Sequence, residues 1–324
     1  MTPFSEEELR RRVEALPWTN QNIQLTPTVW TVPGKPPVLQ DPRLLCVKRA
    51  VREALGGTLA GARVADLGCL EGGMSLAFAL EGADVLGVEG RAGNVEKCRL
   101  VQEHFGLPNL AFEHDDARNF RPEKYGMFDA VLVCGLLYHL DTPVEFVRQA
   151  ARCARRVIVI ETHFAPEGDA AVEALDTMPF FDLDWNPLME RVQVTDGSDV
   201  YEGRWWREYP DEMPHDERER LYWASLDNPR SLWLTRRSIY RLLANCGFDA
   251  VGERLDFLAE PDDIGRHMIE KSRGVFVGVK AGEPHGGETR TVRAGSQAAL
   301  RRFMLVARTR GWRAAVRSAL NGEF

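Results

Sequence analysis

The chain has 324 residues and a mass of 36.5 kDa, room for one large elaborated domain or two modest ones. With 44% hydrophobic and 27% charged residues it has an ordinary globular composition, which excludes collagen-like, disordered and membrane-spanning chains. The formal net charge of −7 is uneven: Thr289 to Phe324 holds eight Arg and one acid, so the body is strongly acidic, which disfavours a broad phosphate-binding face. The longest nearly apolar stretch, Phe128 to Leu140, is too short to cross a bilayer, and the mixed-sign start MTPFSEEELRRR does not read as a secretory leader. A cytoplasmic protein with no membrane partner is expected. Cys46, Cys69, Cys98, Cys134, Cys153 and Cys246 show no CxxC and no histidine pair at zinc-ligand spacing, so reduced thiols and no metal are expected.

Taken in chain order, residues 1–60 predict a cap: a short charged helix, an irregular Trp/Pro-rich stretch and a helix of Leu44, Val47, Val51 and Leu55. Residues 61–163 predict a core of alternating elements. GARVADLG (61–68) is a strand and GGMSLAFALEG a helix; ADVLGVEG (83–90) is a strand and NVEKCRLVQEHFG an amphipathic helix. Strands follow at NLAFEHD (109–115) and at FDAVLVCG (128–135), whose unbroken apolar run suits burial on both faces. Thr142, Pro143, Val144 and Glu145 read as a capping box with proline at its preferred first position. The helix it opens leads into the strand RVIVIE (156–161). After an insertion at 164–234, the segment 235–282 predicts a Thr235-capped helix ending at Gly247 and an antiparallel strand pair, ERLDFLAE and GVFVGVKAG. A basic helical tail at 283–324 ends the chain. The fold class is α/β, a doubly wound, mostly parallel sheet with an inserted lid and terminal extensions.

In such sheets ligands bind beyond the carboxyl ends of the strands, near the point where strand order reverses. The first strand ends VADLGCLEGG: Asp66, then Gly68 at a sharp turn, then Cys69, Leu70, Gly72 and Gly73 at a helix N-terminus suited to an anion. The second ends at Glu89 and Gly90, 21 positions after Gly68 for the carboxylate, where it can accept both hydroxyls of a ribose. The third is followed by Asp115, Asp116 and Ala117, an acceptor and an N–H for an adenine. Together these imply an adenosine-type cofactor. Leu70 occupies the slot where a dinucleotide pyrophosphate needs glycine, so S-adenosylmethionine is favoured over NAD.

VADLGCLEGG, VEG, DDAR and CGLLYHLDTPVEFV, in this order and followed by a strand, a capped helix and two closing strands, resemble the seven-stranded S-adenosylmethionine-dependent methyltransferases. The resemblance covers about 60–163 well and 235–282 more loosely. It implies a Rossmann-like methyltransferase fold in which Asp66 and Gly68 face the methionine moiety, Glu89 the ribose and Asp116 and Ala117 the adenine. Cys134 and Gly135 would line the cofactor through their backbone, and S-adenosylhomocysteine would be the product. Leu70 departs from the family's glycine. The LYH sequence after the fourth strand is similar to that of enzymes acting on transfer RNA wobble uridine and of many acting on small molecules.

A hydroxyl or protonated amine acceptor needs a base, and His139 and His163, just beyond the fourth and fifth strands, are the candidates. Tyr138 reads as a cleft wall and Asp141 as local electrostatics at the next helix. The insertion from Phe164 to Thr235 holds 17 acidic and 6 basic residues and five of the eight tryptophans, Trp185, Trp205, Trp206, Trp223 and Trp233. The sharper expectation for it is an aromatic, acidic frame for a polar, cationic or sugar-bearing small molecule. A solvated lid without a selectivity role is the bland one. The leading expectation is thus a small-molecule O- or N-methyltransferase, with a transfer RNA enzyme and a non-catalytic cofactor-binding protein as alternatives. Net −11 in the insertion argues against nucleic acid as partner.

Overall fold

The structure, a computed structural model, describes residues 4–167, 188–222, 224–258 and 273–282. The basic tail and Trp185 and Trp223 therefore lie outside the described residues. The chain enters through helix α1 (Glu6–Glu14), capped by Ser5, crosses an irregular stretch and forms α2 (Pro42–Ala54), capped by Asp41. Strands and helices then alternate: β1 (Arg63–Leu67), α3 (Gly73–Ala79), β2 (Asp84–Glu89), α4 (Ala92–Phe105), β3 (Leu110–His114), a short α5 (Pro122–Tyr125), β4 (Phe128–Cys134), α6 (Pro143–Cys153) and β5 (Ala154–His163). A second group follows, β6 (Leu188–Asp196), β7 (Asp199–Arg207) and β8 (Arg230–Leu234). A short helix (His215–Arg220) lies between β7 and β8, and after the helix Arg236–Asn245 come β9 (Ala250–Arg254) and β10 (Arg273–Val279).

Seven strands form one sheet in the order β3-β2-β1-β4-β5-β10-β9, the first five parallel and β10 antiparallel to both neighbours. The apolar run of β4 explains its central place: all but its last residue are buried, one face packing toward α2, α3 and α4 and the other toward α6 and the helix Arg236–Asn245. From β1 the chain winds outward through β2 and β3, and from β4 the opposite way through β5. The loops leaving β1 and β4 therefore diverge and open a crevice at the carboxyl ends of the strands.

The structure departs from the sequence reading in two places and adds a sheet where that reading placed no elements. The strand read from ERLDFLAE forms earlier, as Ala250–Arg254, because Phe257 turns away to pack in the α2-side core. Thr142 caps α6 without a side-chain hydrogen bond to the helix, its hydroxyl going to Asp141 at 3.2 Å instead. The insertion holds a three-stranded antiparallel sheet, β6-β7-β8, in which β8 is buried after its first residue.

One buried ion pair joins the N-terminal stretch to the sheet. Glu71, fully buried, accepts from the backbone N–H groups of Thr19, Asn20 and Gln21 at 2.6, 3.1 and 2.7 Å and pairs with Lys97, also fully buried, at 3.1 Å. Isolated buried charge is costly, so these five groups determine one another's placement and lay residues 19–22 along the rim of the crevice.

Candidate active site

The crevice is a cleft of about 450 Å³, within the range of small-ligand sites. Its floor is the turn after β1 (Gly68, Leu70), the ends of β2 and β4 (Glu89, Gly90, Cys134, Gly135) and the turn after β3 (Asp116, Ala117). Its roof comes from the N-terminal stretch and from Tyr222, Ala224, Ser225, Leu226 and Asn228 of the insertion. Leu70 takes φ = +56°, the left-handed region where glycine is at home. The left-handed turn is therefore made here without glycine, at a strain of about 1–2 kcal/mol. Gly72 (φ = +82°) allows no side chain, because a Cβ would meet Phe112 Cζ at 2.8 Å.

Of the residues expected to hold the cofactor, Gly68, Glu89, Gly90, Asp116, Ala117 and Cys134 line the cleft, while Asp66, Cys69, Gly72 and Asp115 do not. Glu89 accepts from the N–H groups of Leu70 and Arg91, both at 2.9 Å, one on each oxygen. A carboxylate has about four acceptor positions, so both oxygens keep capacity for a pair of ribose hydroxyls. Asp66, 2% exposed, lies beneath the floor and accepts from Ser75 Oγ at 2.6 Å; burial pushes its carboxyl up to about 6 against that bond, and the charge of Glu89 adds to the rise. Asp116 is bound to Arg118, whose guanidinium also holds Asp227 of the insertion at 2.7 Å. Asp115 turns toward Lys124, Tyr125 and Asn119; these bonds outweigh its partial burial and hold it down to about 2. Cys69 packs against Cys98, Sγ to Sγ 3.9 Å. The α3 N-terminus, read as open to an anion, is capped from the N-terminal stretch: Gly73 N–H donates to Gln21 Oε1 at 2.6 Å.

The two histidines part company. His139 lines the cleft, and its Nδ1 lies 3.0 Å from both carboxylate oxygens of Glu208. Glu208 is buried and also accepts from Ser231 Oγ at 2.7 Å and Ser225 N–H at 3.2 Å. The insertion grips the 137–140 turn at three further points: Trp233 Nε1 to Tyr138 O, Asn228 Nδ2 to His139 O and Leu232 N to Leu140 O, all 2.8–2.9 Å. His163, at the end of β5, stacks on Trp233 with centroids 5.1 Å apart and meets the edge of Tyr138, outside the cleft lining. Trp206 also stacks on Trp233, with centroids 4.7 Å apart. These tryptophans pack behind the site; among the described residues, the aromatic rings lining the cleft are those of Tyr138, His139 and Tyr222. Asp141 receives the Thr142 hydroxyl.

Several lining residues escaped the sequence reading. Glu161 and Arg273 meet in a two-pronged pair, Nη2 to Oε2 at 2.9 Å, and Arg43, held by Asp41 at 2.9 Å, stands 3.7 Å from Glu161. Glu161 ends the strand read as RVIVIE, so the rule that pointed to Glu89 could have found it. Arg273 and Arg43 carry no local signal. No group of His, Cys, Asp and Glu among the described residues could hold a metal ion, and no described helix is long and apolar enough to cross a membrane.

This strand order, cleft and ribose-competent carboxylate define the Rossmann-like fold of the seven-stranded, S-adenosylmethionine-dependent methyltransferases, and residues 64–157 match the methyltransferase domain family. The chain carries a methyltransferase domain of that class. Over 76 residues, 22% of the chain, it is 41% identical to a 23S rRNA uracil C5-methyltransferase of Thiobacillus denitrificans, of which the match covers 18%. Over 92 residues, 28% of the chain, it is 28% identical to a ubiquinone biosynthesis O-methyltransferase of Acinetobacter baylyi, of which the match covers 39%. The chain thus spans less than half of these curated relatives. The crystal structure of the N-terminal domain of EvdMO1 with S-adenosylhomocysteine and D-fucose aligns with 86% of this chain and 98% of its own at 28% identity, with a TM-score of 0.60.

Proposed function

We propose that the chain is an S-adenosylmethionine-dependent O-methyltransferase acting on a hydroxyl of an uncharged small molecule, with His139 as general base. The pairing of His139 with Glu208 at the cleft carries this reading. A buried carboxylate offers only acceptors, so a neutral His139 keeps its proton on Nδ1 and leaves the Nε2 lone pair to take the acceptor's proton. Glu208, with Ser225 and Ser231 on its other positions, orients the ring and stabilises the imidazolium that forms. Gly68, Glu89, Ala117 and Gly135 fit the cofactor, which supplies an electrophilic methyl on its sulfonium. The roof over the cleft excludes water from the transfer.

Lys35, Arg43, Arg91, Arg118 and Arg273 line the cleft, and each is bonded within the protein. That favours a small neutral acceptor over a phosphate backbone. The O-methyltransferase relative and the D-fucose in the EvdMO1 structure support the same class. The test is methyl transfer from S-adenosylmethionine to a panel of sugars and phenols. His139→Ala should lower kcat by 10²–10⁴, with S-adenosylhomocysteine affinity kept within about twofold; full activity in that variant removes the base from the scheme.

A further inference from the structure

The cleft wall away from the β2 end is a chain of alternating charges drawn from three elements: Asp41 and Arg43 at the start of α2, Glu161 near the end of β5 and Arg273 opening β10. All four line the cleft, as does Tyr138, whose ring lies 5.7 Å from the Arg273 guanidinium. Glu161 is 4% exposed, yet Arg273 and Arg43 hold its carboxyl below its ordinary range although burial alone would raise it. A largely buried ion pair such as Glu161–Arg273 is a poor way to gain stability, since an apolar pair of the same volume does as well or better. A pre-set row of guanidinium donors and carboxylate acceptors beside an aromatic ring is instead a recognition surface.

Resting on the O-methyltransferase reading, we infer that this row binds the vicinal hydroxyls of an uncharged sugar-type acceptor, with Glu161 and Arg273 as the determinants of charge selectivity. Each hydroxyl donates to a carboxylate oxygen and accepts from a guanidinium N–H. Because carboxylates and guanidiniums balance along the row, neither an anionic nor a cationic acceptor gains from it. Tyr138 offers its face to the C–H side of the ring, and the next hydroxyl around the ring is presented toward His139.

The test is saturation-transfer NMR on the full chain with saturating S-adenosylhomocysteine, using D-fucose, D-galacturonate and D-galactosamine as neutral, anionic and cationic probes of similar ring shape. Wild type should favour D-fucose at least tenfold over both charged sugars. Glu161→Gln, which keeps a hydrogen bond to Arg273 but uncovers the guanidiniums, should reverse the order in favour of D-galacturonate. Arg43→Met, at a half-exposed position where folding is not at risk, should shift the preference toward D-galactosamine. A wild type that ranks the three equally or binds none, or variants that keep the wild-type ranking, overturns the inference. Titration of S-adenosylhomocysteine and the activity of His139→Ala report separately on the O-methyltransferase reading: cofactor binding and base dependence can both stand while the sugar ranking fails.

Discussion

Replacing Asp66 by Asn should stabilise the ligand-free protein at neutral pH and weaken its hold on the cofactor. Asp66 is 2% exposed, and burial moves its carboxyl from an ordinary 3.8 to about 6. As pH rises from about 4 to 6 the unfolded chain gives up this proton while the folded chain keeps it, so folding stability falls through that window, and the loss is complete above about 6. With about 1.4 kcal/mol per tenfold change in proton affinity, the loss is about 3 kcal/mol. Asparagine carries no charge and can still accept from Ser75 Oγ. Asp66→Asn should therefore raise Tm at pH 7.5 by about 6 °C, and the gain should shrink to about a third at pH 4.5. The assay is a thermal scan of both proteins from pH 4.5 to 8, with and without S-adenosylmethionine. The cationic cofactor should raise the Tm of wild type more than that of the variant, because a buried negative charge gains from a cation nearby. Equal Tm values at pH 7.5, or a difference independent of pH, would refute the reasoning.

Leu70→Gly should keep the fold and relieve the left-handed strain, whereas Leu70→Ile, with the same atoms but branching at Cβ, should cost about 1–2 kcal/mol in denaturant titration and weaken S-adenosylhomocysteine binding. Lys97→Met leaves Glu71 buried without its cation and should cost about 3 kcal/mol, with residues 17–22 becoming cleavable in limited proteolysis. Arg118→Ala removes a partly exposed bridge from Asp116 to Asp227, so stability should change by less than about 1 kcal/mol. S-adenosylhomocysteine should nonetheless leave several-fold faster in stopped flow, as residues 224–228 lose that tie to the floor. Glu208→Gln should lower kcat at least tenfold with KM little changed, and unaltered turnover would show that His139 needs no orienting carboxylate.

The parallel half of the sheet was legible because each strand is a short apolar run closed by a chemically distinctive turn. FDAVLVC can be buried on both faces only in the middle of a covered sheet, and Gly68 and Glu89 stand where β1 and β2 give way to turns. The closing strands read less well, since the segment after Arg254 is apolar for a different reason: Phe257 packs under α2 instead of extending β9. The side of the cleft built by β1 to β4 follows local order in the chain, so Gly68, Glu89, Asp116 and Cys134, which line it, came from strand ends alone. Asp66 and Asp115 show the weakness of that rule. Both sit at or just past strand ends, but period-two alternation and the turn geometry aim one at Ser75 and the other at Lys124, away from the cleft.

The other side of the cleft was illegible for a stronger reason. The insertion's surplus of acid suggested, with its aromatics, a frame for a polar, cationic or sugar-bearing molecule, yet in the structure much of the acid among its described residues crosses to basic or titratable groups of the core. Glu208 reaches His139, Glu219 reaches Arg91, Asp227 reaches Arg118 and Asp196 reaches Arg148. A carboxylate spent on an arginine contributes little field beyond it, so a segment's net charge measures how it docks as much as what it binds. The cleft that results has its charges matched in pairs, and Asp41, Arg43, Glu161 and Arg273 are scattered across more than two hundred positions of the chain. Only closure of the sheet brings them together, through the antiparallel pairing that sets Arg273 opposite His163, two residues beyond Glu161. Any selectivity for an uncharged acceptor is therefore a property of strand register, and a one-residue slip of β10 would turn Arg273 to the opposite face and abolish it.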